Sequence, residues 1–390
     1  MTIGIDKIGF ATSQYVLKLQ DLAEARGVDP EKFSKGLLLN EISIAPLTED
    51  IVTLAASASN SILTDKEKEE IDMVIVATES GIDQSKAAAV FVHGLLGIQP
   101  FARSFEIKEA CYGATAALHY AKLHVENSPE SKVLVIASDI AKYGVGTPGE
   151  PTQGAGSVAM LITQNPRIMA FNNDNVAQTR DIMDFWRPNY SSTPYVNGMY
   201  STQQYLDCLT TTWDEYKKRY DWTMDDFAAI CFHLPYPKLA LKGLRKMMDK
   251  NLSQEKKDSL QENFDKSILY SQMIGNIYTG SLFLGLLSLL ENTETLKAGD
   301  KIALYSYGSG AVSEFFSGEL VEGYEAYLDK ERLSKLKQRT ALSVADYEKV
   351  FFEEVQLDES GSAQFAAYEH QDYALVEIVD HQRRYSKVEK

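Results

Sequence analysis

The chain has 390 residues, of which 44% are apolar and 24% charged, with a formal net charge of −16. That length points to two or more packed globular units, and the strong acidity argues against nucleic acid or an anionic membrane as a partner. Three cysteines (Cys111, Cys208, Cys231) without CxxC spacing fit a reducing cytoplasm better than a disulfide framework or a zinc knuckle.

The N-terminus, MTIGIDKIGF, has no basic region followed by an apolar core, so no signal peptide is expected. Ile3–Ala11 reads as a strand and Leu17–Arg26 as a helix ending at Gly27. Glu49–Leu63, rich in Ala and Ser, reads as a closely packed helix. Ile71–Ala77 (IDMVIVA) is almost unbroken apolar sequence, the pattern of a strand buried on both faces. It runs into Thr78-Glu79-Ser80-Gly81, after which Gln84–Leu96 reads as an apolar helix. In Phe105–His119 (FEIKEACYGATAALH), Cys111 stands where a polar run gives way to small helix-forming residues. Ser131–Ala137 predicts another buried strand, and a glycine-rich loop leads to a further strand over Gly154–Thr163. Asp181–Trp222 is crowded with aromatic residues and reads as an inserted cap or pocket wall, helical from Thr202.

Buried-strand sequence returns at Phe227–His233 (FAAICFH), followed by helices over Pro237–Met248 and Ser253–Tyr270. A glycine-punctuated helix is expected over Gly275–Glu291, where Leu282–Leu290 is the longest apolar run. It falls short of membrane-spanning length. Strands follow over Lys301–Tyr307 and Ala311–Leu320, and the acidic end, Tyr324–Lys390, carries a last strand at Ala374–Val379.

This order contains a repeat of pattern. An apolar strand ends at Glu79, a small-residue helix begins at Cys111, and strand, glycine loop and strand follow. Later an apolar strand ends at His233, a small-residue helix begins near Asn276, and strand, glycine turn (Gly308-Ser309-Gly310) and strand follow. The expected fold is α/β, two similar halves (1–170 and 226–390) around the aromatic insertion (171–225). In such sheets strand ends and helix starts face the ligand crevice, so the four polar groups are expected to converge.

Each group has a bland alternative. A thiol at a helix N-terminus is favoured as thiolate and nucleophile, or Cys111 is a buried small hydrophobe. A partly dry carboxylate at Glu79 suits acid–base work, or it caps the next helix. His233 is a catalyst or a satisfied core histidine, and Asn276 is a site residue or a cap. Lys238, Lys242, Arg245 and Lys246 share one helix face, suiting a phosphate-bearing ligand or a solvated surface. The backbone N–H groups of Cys111 and of the Gly308–Gly310 turn are candidate oxyanion donors. Gly144–Gly149 matches GxGxxG, but Pro148 and Pro151 disfavour the helix a dinucleotide fingerprint requires. The six histidines show no HExxH, so no metal is expected.

The segments VATES, KEACYGATAAL, VIASDIAKYG, GEPTQGAGSVAM, DFWRP, CFHLPYPK, GNIYTGSL and SYGSG occur in an order that resembles the bacterial hydroxymethylglutaryl-CoA synthase family of thiolase-fold condensing enzymes. The resemblance extends over nearly the whole chain. It implies a layered α-β-α-β-α fold, a homodimer, a cytoplasmic place in the mevalonate pathway, and acetyl-CoA and acetoacetyl-CoA as substrates with no further cofactor. Cys111 would carry the acetyl group, Glu79 would deprotonate its methyl and later protonate the new alkoxide, and His233 would hold the acetoacetyl thioester. Thr152, Ser201, Asn276 and Ser309 would bind the acyl portion, Lys238 and Lys242 the CoA phosphates, and Asp29 would lie near the nucleotide. Asp139, Tyr143 and Asp184 would shape the acetyl site. The run Lys35–Asn40 (KGLLLN) departs from the family's GLGQ-like segment. Rival readings are a Cys-His-Asn ketoacyl synthase, which needs no methyl-deprotonating base, and a non-catalytic CoA-binding homologue.

Overall fold

The apolar strands join edge to edge into a ten-stranded sheet in a computed structural model that describes residues 2–191, 193–368 and 371–389. Its first half runs Arg103–Ile107, Ile71–Ala77, Lys132–Ala141, Gly154–Gln164, Ile3–Ala11. Its second half runs Met169–Phe171, Val312–Leu320, Lys301–Gly308, Ala229–Phe232, with Val176–Thr179 also on Val312–Leu320. The halves meet through two antiparallel pairs, Gly4 with Ala170 and Ile5 with Met169. A Cβ on Gly4 would lie 1.9 Å from the Met169 carbonyl, so only glycine allows this approach.

Side-chain alternation turns the sheet into layers. On Ile71–Ala77, residues Met73, Ile75 and Ala77 face a central cluster holding Ala114, Ala117 and Leu282–Leu290 side chains. Ile71, Val74 and Val76 face the opposite side, against helices Ile51–Asn60 and Ala88–Leu96. In the second half Ala229, Cys231, Ile302 and Leu304 join the same central cluster. Ile230, Phe232, Ala303 and Tyr305 face an outer layer of helices Gly198–Tyr220, Pro237–Met247 and Gln254–Ser267. The result is the α-β-α-β-α order, with helices Gly113–Asn127 and Ser281–Asn292 between the halves. Small residues on the first of these let it sit deep: Ala114, Ala117 and Ala121 are fully buried.

Several boundaries differ from the sequence expectation for local reasons. The expected helix from Leu17 begins at Leu19, because Tyr15–Lys18 pairs with Glu41–Ile44 as a strand. The helix expected from Gln84 begins at Ala88, since the Asp83 side chain accepts from the Ser85 and Lys86 amides and holds a turn there. The insertion helix starts at Gly198, capped by Asn197, ahead of Thr202. Gly275–Glu291 is not one helix: Gly275 (φ 85°) and Tyr278 (φ 43°) break it, and Ser281–Asn292 is the regular part. The last strand is Gln382–Lys387, paired with Tyr373–Val379, and its charged sequence concealed it. His370 lies outside the described residues.

Candidate active site

The strand Ile71–Ala77 runs parallel to both neighbours, and its C-terminal end delivers the turn Thr78-Glu79-Ser80. Ala229–Phe232, parallel to Lys301–Gly308, delivers His233 in the same way in the other half. Cys111 lies two residues before helix Gly113–Asn127, after Ala110 held at φ 40°, a left-handed conformation that costs a non-glycine residue about 1–3 kcal/mol. Its Sγ donates to Oε1 of Glu79 at 3.0 Å. Glu79 is therefore no helix cap, and the half-buried Cys111 is no sealed core residue.

Electrostatics at this pair correct the expectation of a helix-stabilised thiolate. Burial pushes the Glu79 carboxyl up to about 8, reinforced by the charge of Asp139 and opposed by the Cys111 hydrogen bond and by Arg187. Burial, Glu79, Asp139 and Asp184 together push the Cys111 thiol far above its ordinary value. Several carboxylates outweigh the roughly half-charge of a helix terminus. The resting thiol keeps its proton, and the Glu79 carboxyl is the hydrogen-bond acceptor beside it.

Two buried aspartates hold the frame. Asp139, fully buried, accepts four hydrogen bonds on Oδ1, from Thr78 Oγ1 and the Glu79 amide and from the amide and Oγ of Ser80. Its Oδ2 accepts two more from the amide and Oγ1 of Thr279, in the opposite half. Asp184 accepts from Tyr307 Oη at 2.7 Å, from the Gly310 amide at 2.9 Å and from Ser201 Oγ at 3.4 Å. Gly310, expected as an oxyanion donor, is thus committed elsewhere.

A cavity of about 680 Å³ opens onto the thiol. Cys111, Tyr143, Thr152, Ser201, His233, Asn276 and Ser309 all line it. Burial pushes His233 down to about 3, and its Nδ1 has no protein partner among the described residues, so it is not a satisfied core histidine. Asn276 lies in the loop before the Tyr278–Gly280 turn, not at a helix start. Its Oδ1 accepts from the Tyr278 amide at 2.9 Å, while Nδ2 donates to Tyr143 Oη at 3.0 Å. A second cavity of about 480 Å³ is lined by Glu79, Glu109 and Arg187, and Phe185 and Ser309 line both.

Other expected residues stand off the wall. Asp29 is exposed, and its Oδ1 accepts from the Glu31 amide at 2.9 Å just ahead of the short Glu31–Ser34 helix. Lys238 is half-buried and Lys242 exposed, on the helix that starts beside the wall residues Pro235 and Tyr236. In the divergent Lys35–Asn40 run, Leu37 lines the cavity and its carbonyl accepts from the Lys238 amide at 3.0 Å.

Comparison with known proteins matches residues 2–167 to the hydroxymethylglutaryl-coenzyme A synthase N-terminal family model. Residues 175–268 and 245–387 match the corresponding C-terminal model. The chain is 54% identical over 360 residues to hydroxymethylglutaryl-CoA synthase of Enterococcus faecalis, covering 92% of this chain and 94% of that one. The chain belongs to the hydroxymethylglutaryl-CoA synthase family. A crystal structure of a synthase complexed with CoA superposes with a TM-score of 0.98 at 68% identity over the full length of both chains. A second, in complex with 3-hydroxy-3-methylglutaryl coenzyme A, superposes at 0.87 with 32% identity, covering 100% of this chain and 99% of that one. The polyketide biosynthesis 3-hydroxy-3-methylglutaryl-ACP synthase of Bacillus subtilis is 32% identical, covering 90% of this chain and 88% of its own.

Within this synthase, sequence reading missed Arg187, whose Nη2 donates to the Glu79 carbonyl, and Thr279, which joins the halves through Asp139. Both lie in segments that carried the family resemblance, DFWRP and GNIYTGSL, but neither stood at a strand end or helix start. Phe185 and Tyr205 on the cavity wall were legible only as members of the aromatic-rich segment, and Tyr278 only as part of the GNIYTGSL run.

Proposed function

We infer that the chain condenses acetyl-CoA with acetoacetyl-CoA and water to give 3-hydroxy-3-methylglutaryl-CoA and CoA, an acyltransferase step of the mevalonate pathway. The observation that carries the reading is the 3.0 Å thiol–carboxylate pair at the edge of a cavity whose wall also holds His233 and Asn276. The Cys-His-Asn rival leaves the half-buried Glu79 without a task.

In the proposed sequence Glu79 takes the Cys111 proton as Sγ attacks the acetyl carbonyl. The Sγ–C bond forms, the CoA sulfur leaves, and the proton passes to it. The free Glu79 carboxylate then removes a proton from the acetyl methyl, and the enolate carbon attacks the ketone of acetoacetyl-CoA. Glu79 returns its proton to the new alkoxide. Water splits the Cys111 thioester last. With Gly310 committed to Asp184, the amides of Cys111 and Ser309 are the proposed donors to the thioester oxyanion. The neutral His233 imidazole offers hydrogen bonding to the acetoacetyl thioester. Thr152, Ser201 and Asn276 contact the acyl chain. Lys238 and Lys242 meet the CoA phosphates, with Asp29 toward the nucleotide.

The same reading takes the CoA thioesters as sufficient without a cofactor or metal, the working form as a homodimer, and the location as the cytoplasm. Three free cysteines support a reducing compartment, and no helix among the described residues is long and apolar enough to cross a membrane. Incubation with acetyl-CoA should add one acetyl group to Cys111 by intact mass. Subsequent acetoacetyl-CoA should discharge it as 3-hydroxy-3-methylglutaryl-CoA. An unacetylated chain that still binds CoA would make it a binding homologue.

A further inference from the structure

Glu79 is held by its main chain from two sides. Its amide donates to Asp139 Oδ1 at 2.9 Å, and its carbonyl accepts from Arg187 Nη2. Arg187 arrives on a constrained ladder: Asp184, three residues earlier, is locked to Tyr307 and Gly310. Phe185 and Trp186 pair with Val196 and Tyr195 as a hairpin, and Pro188 restricts the Arg187 backbone. The guanidinium enters from the second cavity, beside Lys108 and Glu109.

The charges that face Glu79 make this cation conspicuous. Asp139 comes from the adjoining strand, Cys111 and Glu109 from the approach to the cysteine helix, Tyr143 from the glycine-rich loop and Tyr278 from the opposite half. Every one is an acid or a neutral group. Lys108 acts on Glu109, and Arg187 is the basic group whose charge acts on Glu79.

We propose that Arg187 is a positioning residue for the condensation step, clamping the Glu79 main chain from the second cavity and setting a positive charge against its carboxylate. The assignment rests on the function inferred above. Without the charge, burial and Asp139 act unopposed and Glu79 holds its proton more tightly, so less of the enzyme carries a free base at neutral pH.

The test loads Cys111 with acetyl, checked by intact mass, and follows its discharge by saturating acetoacetyl-CoA in single turnover from about pH 6 to 10. Arg187→Gln should move the midpoint of the rate profile alkaline by about one pH unit and slow the reaction at pH 7 about tenfold, with the rate recovering at high pH. Arg187→Lys should keep the wild-type midpoint, at a lower rate if the clamp is imperfect, and it stands in if the glutamine variant does not fold. A wild-type midpoint in Arg187→Gln overturns the assignment. So does an equal loss at every pH that Lys does not rescue. If the wild-type protein itself yields no product, the functional reading fails, and that result is distinct from either outcome for Arg187.

Discussion

The Cys111 thiol donates to Oε1 of Glu79 across 3.0 Å, and both groups hold protons more tightly than they would in water. The pair behaves as a unit because each is partly withdrawn from water and each makes a negative charge on the other more costly. On the proposed reading, the thiol is switched on as a nucleophile by its neighbour's ionisation and not by its own acidity.

Glu79→Gln should therefore lose condensation by about 10²–10⁴-fold, the usual range for a positioned base. In the wild-type protein the rate of Cys111 alkylation should rise with pH through the ionisation of Glu79 near 8. Rapid alkylation already complete at pH 6 would mean a resting thiolate and would sink the account of the pair.

Asp139→Asn replaces one acceptor oxygen of a hub serving six donors with an amide that is itself a donor. Lost hydrogen bonds to a buried carboxylate cost about 1.5–3 kcal/mol each. Loosening the Glu79 turn against Thr279 should lower kcat more than it raises KM. The check is a lower Tm together with that kcat–KM split; an unchanged Tm would contradict the hub.

Gly275→Ala should be severe. At φ 85° an added Cβ would lie 1.8 Å from the Gln153 carbonyl, displacing the loop that carries Asn276. Gly299→Ala is the internal control, with φ 84° and open space around the new Cβ. We expect about 1 kcal/mol of destabilisation at Gly299 and about 3 kcal/mol or more at Gly275 by denaturant titration. Equal losses would assign the whole effect to backbone strain.

His233 titrates in the direction of acid instability. Its folded value, about 3, lies below the ordinary 6.5, so the unfolded chain takes up the proton first and stability falls as pH drops from 6.5 toward 3. At pH 4 this amounts to about 3 kcal/mol. His233→Gln should flatten that part of the stability curve relative to wild type, measured by chemical denaturation at several pH values. Parallel curves would show that His233 is not buried as a neutral ring.

Much of the arrangement was legible before any coordinates. The buried strands around Val74, Val135 and Ile230, the small-residue helix after Cys111 and the pocket-wall character of the aromatic segment all follow from composition and period. Two of the misread boundaries share a cause. Leu17 became a strand residue because Ser43 and its neighbours offered a partner, and the Gly275–Glu291 run broke because Thr152 and Gln153 pass close to Asn276 and Gly275. Such partners are distant in the chain, so no local window contains them.

The sequence by itself determined which polar residues stand at strand ends and beside buried helices, because alternation and residue size are local properties that choose an element and its inward face. The tertiary structure alone decided how those residues behave. It raised the proton affinity of Cys111 instead of lowering it, withdrew Gly310 from the oxyanion through Asp184, and brought Thr279 to Asp139 across 140 residues of chain and Arg187 to Glu79 across 108. Proton affinity depends on burial and on the summed field of neighbouring charges, and both exist only once the two halves have closed on each other.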